Sequence, residues 1–135
     1  MDNNFSALLL SDAGLSSGPA GLEIKVRLPW YRALPLSVVE VASLAIDGKA
    51  VPADGLRLEI NGKSFRLNEL PEQIGEFWFV LDAAVVRIPD RQVGVGELHT
   101  VDLQLNLYPP YIPHLTWVTQ ASKSVRVDAS QGGRP

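Results

Sequence analysis

The stretch LRLEINGKSFRL, residues 56–67, sets the reading of the rest of the chain. Leu56, Leu58 and Ile60 alternate with Arg57 and Glu59, Asn61-Gly62 interrupts the run, and Phe65 and Leu67 alternate on the way back. Period-two alternation places apolar side chains on one face of a strand and charges on the other. Both central residues of a type I′ turn need positive φ, which Asn and Gly accept at little cost. The stretch is therefore a β-hairpin with one face in a core.

The same pattern extends in both directions. Leu22, Ile24, Val26 and Leu28 alternate with Glu23, Lys25 and Arg27, and Pro29 ends that strand. From Val38 to Ile46 the phase changes: Val39 and Val41 share one face and Leu44 and Ile46 the other, so a bulge near Ala42-Ser43 is needed to keep all four inward. Asp47-Gly48 supplies a second tight turn. Asn68 to Glu76, with Pro71 and Gly75, reads as a loop with at most one helical turn. Phe77 to Leu81 and Val85 to Ile88 read as short apolar strands. Val101, Leu103, Leu105 and Leu107 mark the longest regular strand, ended by Pro109-Pro110, and Val125 to Val127 the last. Gly94-Val95-Gly96 lacks the third glycine and following helix of a dinucleotide fingerprint and reads as a hairpin connection.

Many short strands at turn-punctuated intervals predict an all-β fold, a single-domain antiparallel β-sandwich of immunoglobulin-like proportions, with a small barrel as the alternative. Residues 1–20, rich in Ser, Gly, Asn and Asp and ending in Ser16-Ser17-Gly18-Pro19, read as an N-terminal arm. Residues 21–128 form the β-sandwich domain and 129–135 a flexible C-terminal tail. A chain of 135 residues suits one domain. At that size roughly two-thirds of the unfolded surface is buried, so the core needs no metal or disulfide.

Twelve Lys plus Arg against fifteen Asp plus Glu give a net charge of −3, without the basic excess expected of a nucleic-acid or anionic-membrane partner. The lack of cysteine removes disulfide frameworks, thiol chemistry and Cys-ligated zinc together. The apolar run Ala7 to Leu10 is flanked by Asp2 and Asp12 and has neither the basic start nor the cleavage site of a secretory signal. No segment approaches the ~20 consecutive apolar residues of a membrane-spanning helix. These features predict a soluble, cytoplasmic protein.

Little in the chain points to chemistry of its own. His99 and His114 stand in no metal-ligand spacing. His99 shares the phase of Val101 and Leu103 and reads as a hydrogen-bonded histidine at the core's edge, whereas His114 follows Pro113 in a solvent-facing loop. Glu76 and Asp82 flank Phe77-Trp78-Phe79 as a candidate acid/base pair, although acids at strand ends more often cap turns. No GxSxG or GxxxxGK[ST] motif occurs.

Two proline and aromatic segments stand out instead. LPWYRALPL, residues 28–36, sets Trp30, Tyr31 and Arg32 between two prolines, and YPPYIP, residues 108–113, carries Tyr108 and Tyr111 and precedes Trp117. Proline limits the backbone states a loop must lose on docking, and Trp, Tyr and Arg dominate interface hot spots. These loops either form a rigid docking surface or pack over the open end of the fold itself.

The segments RLPWYRALPLSVVE (27–40), IDG (46–48), INGKSFRL (60–67) and EFWFVLD (76–82), with Gly96-Glu97-Leu98-His99 leading into Thr100 to Leu107, resemble the β subunit of bacterial C-glycoside deglycosidases. The likeness runs from about Gly21 to Val127, and the proline-bracketed aromatic segment is its most specific part. The resemblance implies a non-catalytic subunit paired with a larger α subunit. That partner is expected to be a TIM barrel similar to sugar-phosphate isomerases and epimerases, holding a divalent metal, expected as manganese. The resemblance implies that the complex cleaves, by elimination, the carbon–carbon bond between a 3-keto sugar and an aromatic, flavonoid-type aglycone. Catalytic residues and metal are expected on the partner, with no cofactor in this chain. Trp30, Tyr31 and Arg32, then Trp78, Tyr108 and Tyr111, are the expected contacts with the α subunit. The alternatives are a stand-alone carbohydrate-binding module stacking sugars on Trp30, Tyr31 and Trp117, and a hydrolase using Glu76 and Asp82.

Overall fold

The computed structural model describes residues 6–10, 14–89 and 91–129. Its strands, in chain order, are β1 (Leu15–Gly18), β2 (Gly21–Arg27), β3 (Leu34–Pro35), β4 (Val39–Ile46), β5 (Lys49–Ala50), β6 (Arg57–Ile60), β7 (Lys63–Arg66), β8 (Phe77–Trp78), β9 (Ala83–Ile88), β10 (Leu98–Leu107) and β11 (Trp117–Ala129). One helical turn, α1 (Ser6–Leu9), precedes them, and short 3-10 turns occupy Leu36–Val38, Ala53–Gly55 and Leu67–Glu72.

Alternation became strand where it was legible. The hairpin β6–β7 turns at Asn61 and Gly62, both with positive φ (56° and 75°), and Asp47 and Gly48 do the same between β4 and β5 (53° and 82°). In β4 the register slips by one residue: Gln104 faces Ser43 and Leu105 faces Val41, leaving Ala42 as the extra residue of a bulge. Val39, Val41, Leu44 and Ile46 consequently all point inward, while Ala42 and Ser43 lie on the surface.

The all-β expectation holds. Among the described residues the ladders join nine strands into one sheet, in the order β5-β4-β10-β11-β1-β2-β9-β6-β7, and β3 pairs with β8 separately. The pairing therefore does not divide the large sheet into the two separate sheets of a sandwich. Its apolar faces nevertheless meet in a single core that unites Leu22, Ile24 and Val26 of β2 with Val101, Leu103, Leu105 and Leu107 of β10. On the opposite face of β2, β9 and β6, Arg87 is held by Glu23 (2.9 Å) and by both carboxylate oxygens of Glu59 (2.7 and 2.8 Å).

Several segments differ from expectation. Within the stretch read as an arm, Leu15–Gly18 is a sheet strand that pairs antiparallel with β2 and parallel with β11, the one parallel ladder in an otherwise antiparallel pattern among the described residues. Leu9 and Leu10 are buried as well. The strand expected at 125–127 extends back to Trp117, because Thr119 and Ala121 occupy inward positions and conceal the alternation. The expected strand 77–81 is only two residues long. Gly94-Val95-Gly96 forms a turn, with Glu97 N–H donating to Gly94 O (3.1 Å), but β9 and β10 on either side of it do not pair, so it is no hairpin. Ala129 ends β11, and the rest of the tail, 130–135, lies outside the described residues.

Candidate functional site

The ladders bring the two proline and aromatic segments together at one end of the sheet. β2 ends at Arg27, opposite Ala83 of β9. β10 ends at Leu107, opposite both Val39 of β4 and Trp117 of β11. Pro29 and Pro109-Pro110 cannot extend those ladders, so the chain leaves the sheet there as irregular segments.

Trp30 is the centre of the resulting cluster. It is 6% exposed, and its Nε1–H donates to the Tyr111 hydroxyl at 2.6 Å across 81 residues of sequence. Its ring meets Tyr31 at 5.0 Å, tilted by 42°, and Trp117 at 5.3 Å, edge to face. The Tyr111 hydroxyl donates onward to Tyr31 Oη at 3.3 Å, and the Arg32 guanidinium lies 4.8 Å from the centre of the Tyr111 ring. The hydrogen bond with Tyr111 raises the Tyr31 phenol above its ordinary value, so at neutral pH it is a neutral hydroxyl. Trp30 is thus a buried anchor, while Tyr31 (61% exposed), Arg32 and Tyr111 (42%) form the surface over it.

The other expected contacts sit differently. Trp78 is fully buried, with its Nε1–H donating to the backbone oxygen of Asp82 at 2.8 Å, so it offers no surface to a partner in this conformation. Tyr108 is exposed, but its hydroxyl donates to Glu40 at 2.6 Å, and that carboxylate pushes the phenol up from its ordinary value. Glu40 also accepts from Asn106 at 3.1 Å, so Tyr108 belongs to a polar chain on the outer face of β4 and β10.

A run that the sequence reading took for a strand adds to this end. β8 pairs Trp78 with Leu34 and Phe77 with Pro35, which ties residues 76–82 to the Trp30–Leu36 segment. With Trp78 turned inward, Phe77 and Phe79 face outward, their rings stacked 6.3 Å apart, and Ile74, Val80 and Leu81 are exposed beside them. IGEFWFVL has few polar residues to take the solvent face, which marks it in the sequence as an apolar run too rich for a half-exposed strand.

Of the two candidate acids, Glu76 has a structural role. Glu76 accepts from Lys63 (2.8 Å) and Asn61 (3.2 Å), and these two hold its carboxyl below the usual range, the opposite of what a general acid needs. At the far end of β10, His99 donates from Nδ1 to Asp47 (2.5 Å) and from Nε2 to Glu97 (2.9 Å). Carboxylates at both ring nitrogens require both to carry protons, which is the imidazolium. Asp47 first, then Glu97, raise the His99 value, while Thr100 N–H and His99 lower Asp47, and His99 and the Gly94 backbone lower Glu97. Neither ring nitrogen keeps a lone pair for a metal. Among the described residues no group of three His, Asp or Glu side chains is arranged to hold one. No helix among them is long and apolar enough to cross a membrane.

The sequence model of the C-glycoside deglycosidase β subunit family matches residues 10–111, a span that carries the first aromatic segment, the 74–81 run and Tyr111. A C-glycoside deglycosidase β subunit of Microbacterium trichothecenolyticum is 48% identical over 89 residues, 66% of this chain and 67% of that one. The 3'-dehydrocarminate deglycosidase β subunit of a Microbacterium species is 37% identical over 109 residues, 81% and 82% of the two chains. A further C-glycoside deglycosidase β subunit, from Arthrobacter globiformis, is 39% identical over 100 residues, 73% and 76%. With a family match over most of its length and relatives at this identity, the chain belongs to the C-glycoside deglycosidase β subunit family.

Proposed function

We propose that this chain is the non-catalytic β subunit of a heteromeric C-glycoside deglycosidase. Its larger α subunit, a TIM barrel of the sugar-phosphate isomerase and epimerase kind, carries the reacting groups and a divalent metal, and the complex works in the cytoplasm. The substrate class is an aromatic aglycone joined through carbon to a 3-keto sugar. The 3-keto group acidifies the C2 hydrogen, so a base on the partner removes that proton and the electron pair forms the C1–C2 double bond. The C1–aryl bond breaks, and the aryl carbon takes up a proton, which makes the step an elimination rather than a hydrolysis. One relative's name, a 3'-dehydrocarminate deglycosidase β subunit, carries the same oxidised 3' position of a glycoside.

In this reading the chain stabilises the α subunit and shapes the substrate entrance. The observation that supports it most is the convergence of Trp30, Tyr31, Arg32 and Tyr111 at one end of the sheet, where a buried indole fixes two exposed phenols and a guanidinium. Preorganised aromatic and Arg side chains lose little entropy on docking, and phenols tolerate both an apolar ring and water. Tyr31, Arg32 and Tyr111 would make the direct contacts, Trp30 and Trp78 would support them from below, and Tyr108 would lie at the margin.

The test is co-expression with the α subunit, followed by size-exclusion chromatography with light scattering and assay on a 3-keto C-glycoside. A stable heteromer, with turnover that needs both chains, is the expected result. Two independent monomers, or glycoside binding by the isolated chain in calorimetry, would favour the carbohydrate-binding module instead.

A further inference from the structure

Residues 74–81 present more apolar surface than any other short segment among the described residues, and they do so on a fixed backbone. Ile74 is 76% exposed, Phe79 53% and Leu81 85%, with Phe77 and Val80 at 38% each. Exposed apolar patches of this density mark interaction sites. The segment is not a loose loop. Leu36 N–H donates to Glu76 O (2.8 Å), Asn61 Nδ2 to Phe77 O (2.8 Å), Asp82 N–H to Phe79 O (3.0 Å), Arg27 Nη1 to Leu81 O (2.5 Å) and Trp78 Nε1 to Asp82 O (2.8 Å). Buried Trp78 nails the middle of the run to the core, so the stacked Phe77 and Phe79 rings are held outward before anything binds.

Charge decides what covers this ridge. Residues 67–82 carry Glu69, Glu72, Glu76 and Asp82 and no Lys or Arg. Glu76 is neutralised by Lys63, whereas Glu69 accepts from the uncharged Arg66 N–H and keeps its charge, so the exposed Glu69, Glu72 and Asp82 leave residues 67–82 acidic around the apolar ridge. A second copy of this chain, docked through the same surface, would set acid against acid, whereas a partner with basic residues around an apolar groove is complementary. The ridge is also continuous, through the β3–β8 pair, with the Trp30–Tyr31–Arg32 segment.

We propose that the Ile74–Leu81 ridge is the main grip of this chain on its companion deglycosidase subunit, with Phe77, Phe79 and Leu81 seated in an apolar groove whose rim is basic. This rests on the reading of the chain as a β subunit. It divides the aromatic end into an apolar grip and, beside it, a phenol-lined face.

The experiment compares the wild type with the double variant Phe79→Ser, Leu81→Ser, each purified and titrated against the companion subunit. Both side chains point away from the core, so the variant should keep the wild-type circular dichroism and melting curve. Its affinity for the companion should fall roughly 100-fold or more, as expected for the loss of two interface hot spots. Asp82→Lys should weaken association roughly 10-fold at low salt and flatten its salt dependence, as expected for a charge at the rim of an interface. Unchanged affinity of a folded double variant overturns the ridge while leaving the β-subunit reading intact. Failure of the wild type itself to bind overturns that reading. A wild-type homodimer that the double variant abolishes overturns the choice of occupant.

Discussion

At one end of β10, His99 is clasped between Asp47 and Glu97, Thr100 N–H donates to Asp47 (2.8 Å), and Arg126 donates to Gly96 O (3.0 Å). At the other end, Tyr31, Tyr111, Phe79 and Leu81 stand exposed around two buried indoles. Turn residues at the first end answer each other's charges, so the polar groups of that end are closed upon themselves, although Val95 and Leu98 are exposed beside them. Prolines at the second end stop the ladders before the apolar side chains are covered, and the surface left over is available to a partner. One fold thus carries an end whose polar groups are paired and an end with a denser apolar surface, and the difference is a matter of which groups found internal partners.

The sharpest way to break the aromatic end is Trp78→Ala. It removes the fully buried indole and its bond to Asp82 O, and should cost about 3–5 kcal/mol in denaturant unfolding, with loss of companion binding as a consequence. The matching lesion at the closed end is Gly21→Ala. Gly21 has φ of +105°, and a Cβ there would lie 2.3 Å from Ile88 O, so backbone must move and stability should fall by about 2–3 kcal/mol. Tyr111→Phe is milder. It leaves the ring but takes the acceptor from Trp30 Nε1, and should cost about 1–2 kcal/mol in a thermal melt.

The smallest effect concerns pH and separates the ends most cleanly. Because His99 is raised above its ordinary 6.5, its contribution is fully present below that pH and is lost as pH rises through the higher folded value. Asp47 and Glu97 are lowered from 3.8 and 4.5, so theirs is present above those values and lost on further acidification. The clasp is therefore strongest between about 4.5 and 6.5, where His99→Gln should differ most from wild type in stability. The His99 imidazole resonances should titrate above 6.5, and lower in Asp47→Asn than in the wild type. An unshifted His99 in the wild type would mean that the clasp does not form in solution.

Much of this was legible along the chain. Alternation marks β2, β4, β6 and β10, the change of phase at Ala42-Ser43 marks the bulge, and Asn-Gly and Asp-Gly mark the tight turns, because each acts over a few residues. What alternation could not reveal is a strand whose inward positions hold Thr119 and Ala121, or a four-residue strand such as Leu15–Gly18 that exists only because β2 and β11 flank it. The run EFWFVL shows its hydrophobicity openly but not which of its rings turn inward.

Side-chain period and positive-φ turn residues are properties of neighbouring amino acids, so the alternating strands β2, β4, β6 and β10, their inward faces and the presence of two proline-stopped aromatic segments follow from the order of residues alone. Their meeting does not. Trp30 and Tyr111 lie 81 residues apart and come within 2.6 Å only once β2, β9, β10 and β11 have aligned their ends. The burial of Trp78 and the exposure of Phe79 and Leu81 are likewise set by the short β3–β8 pairing, a contact between segments distant in sequence that no local pattern encodes.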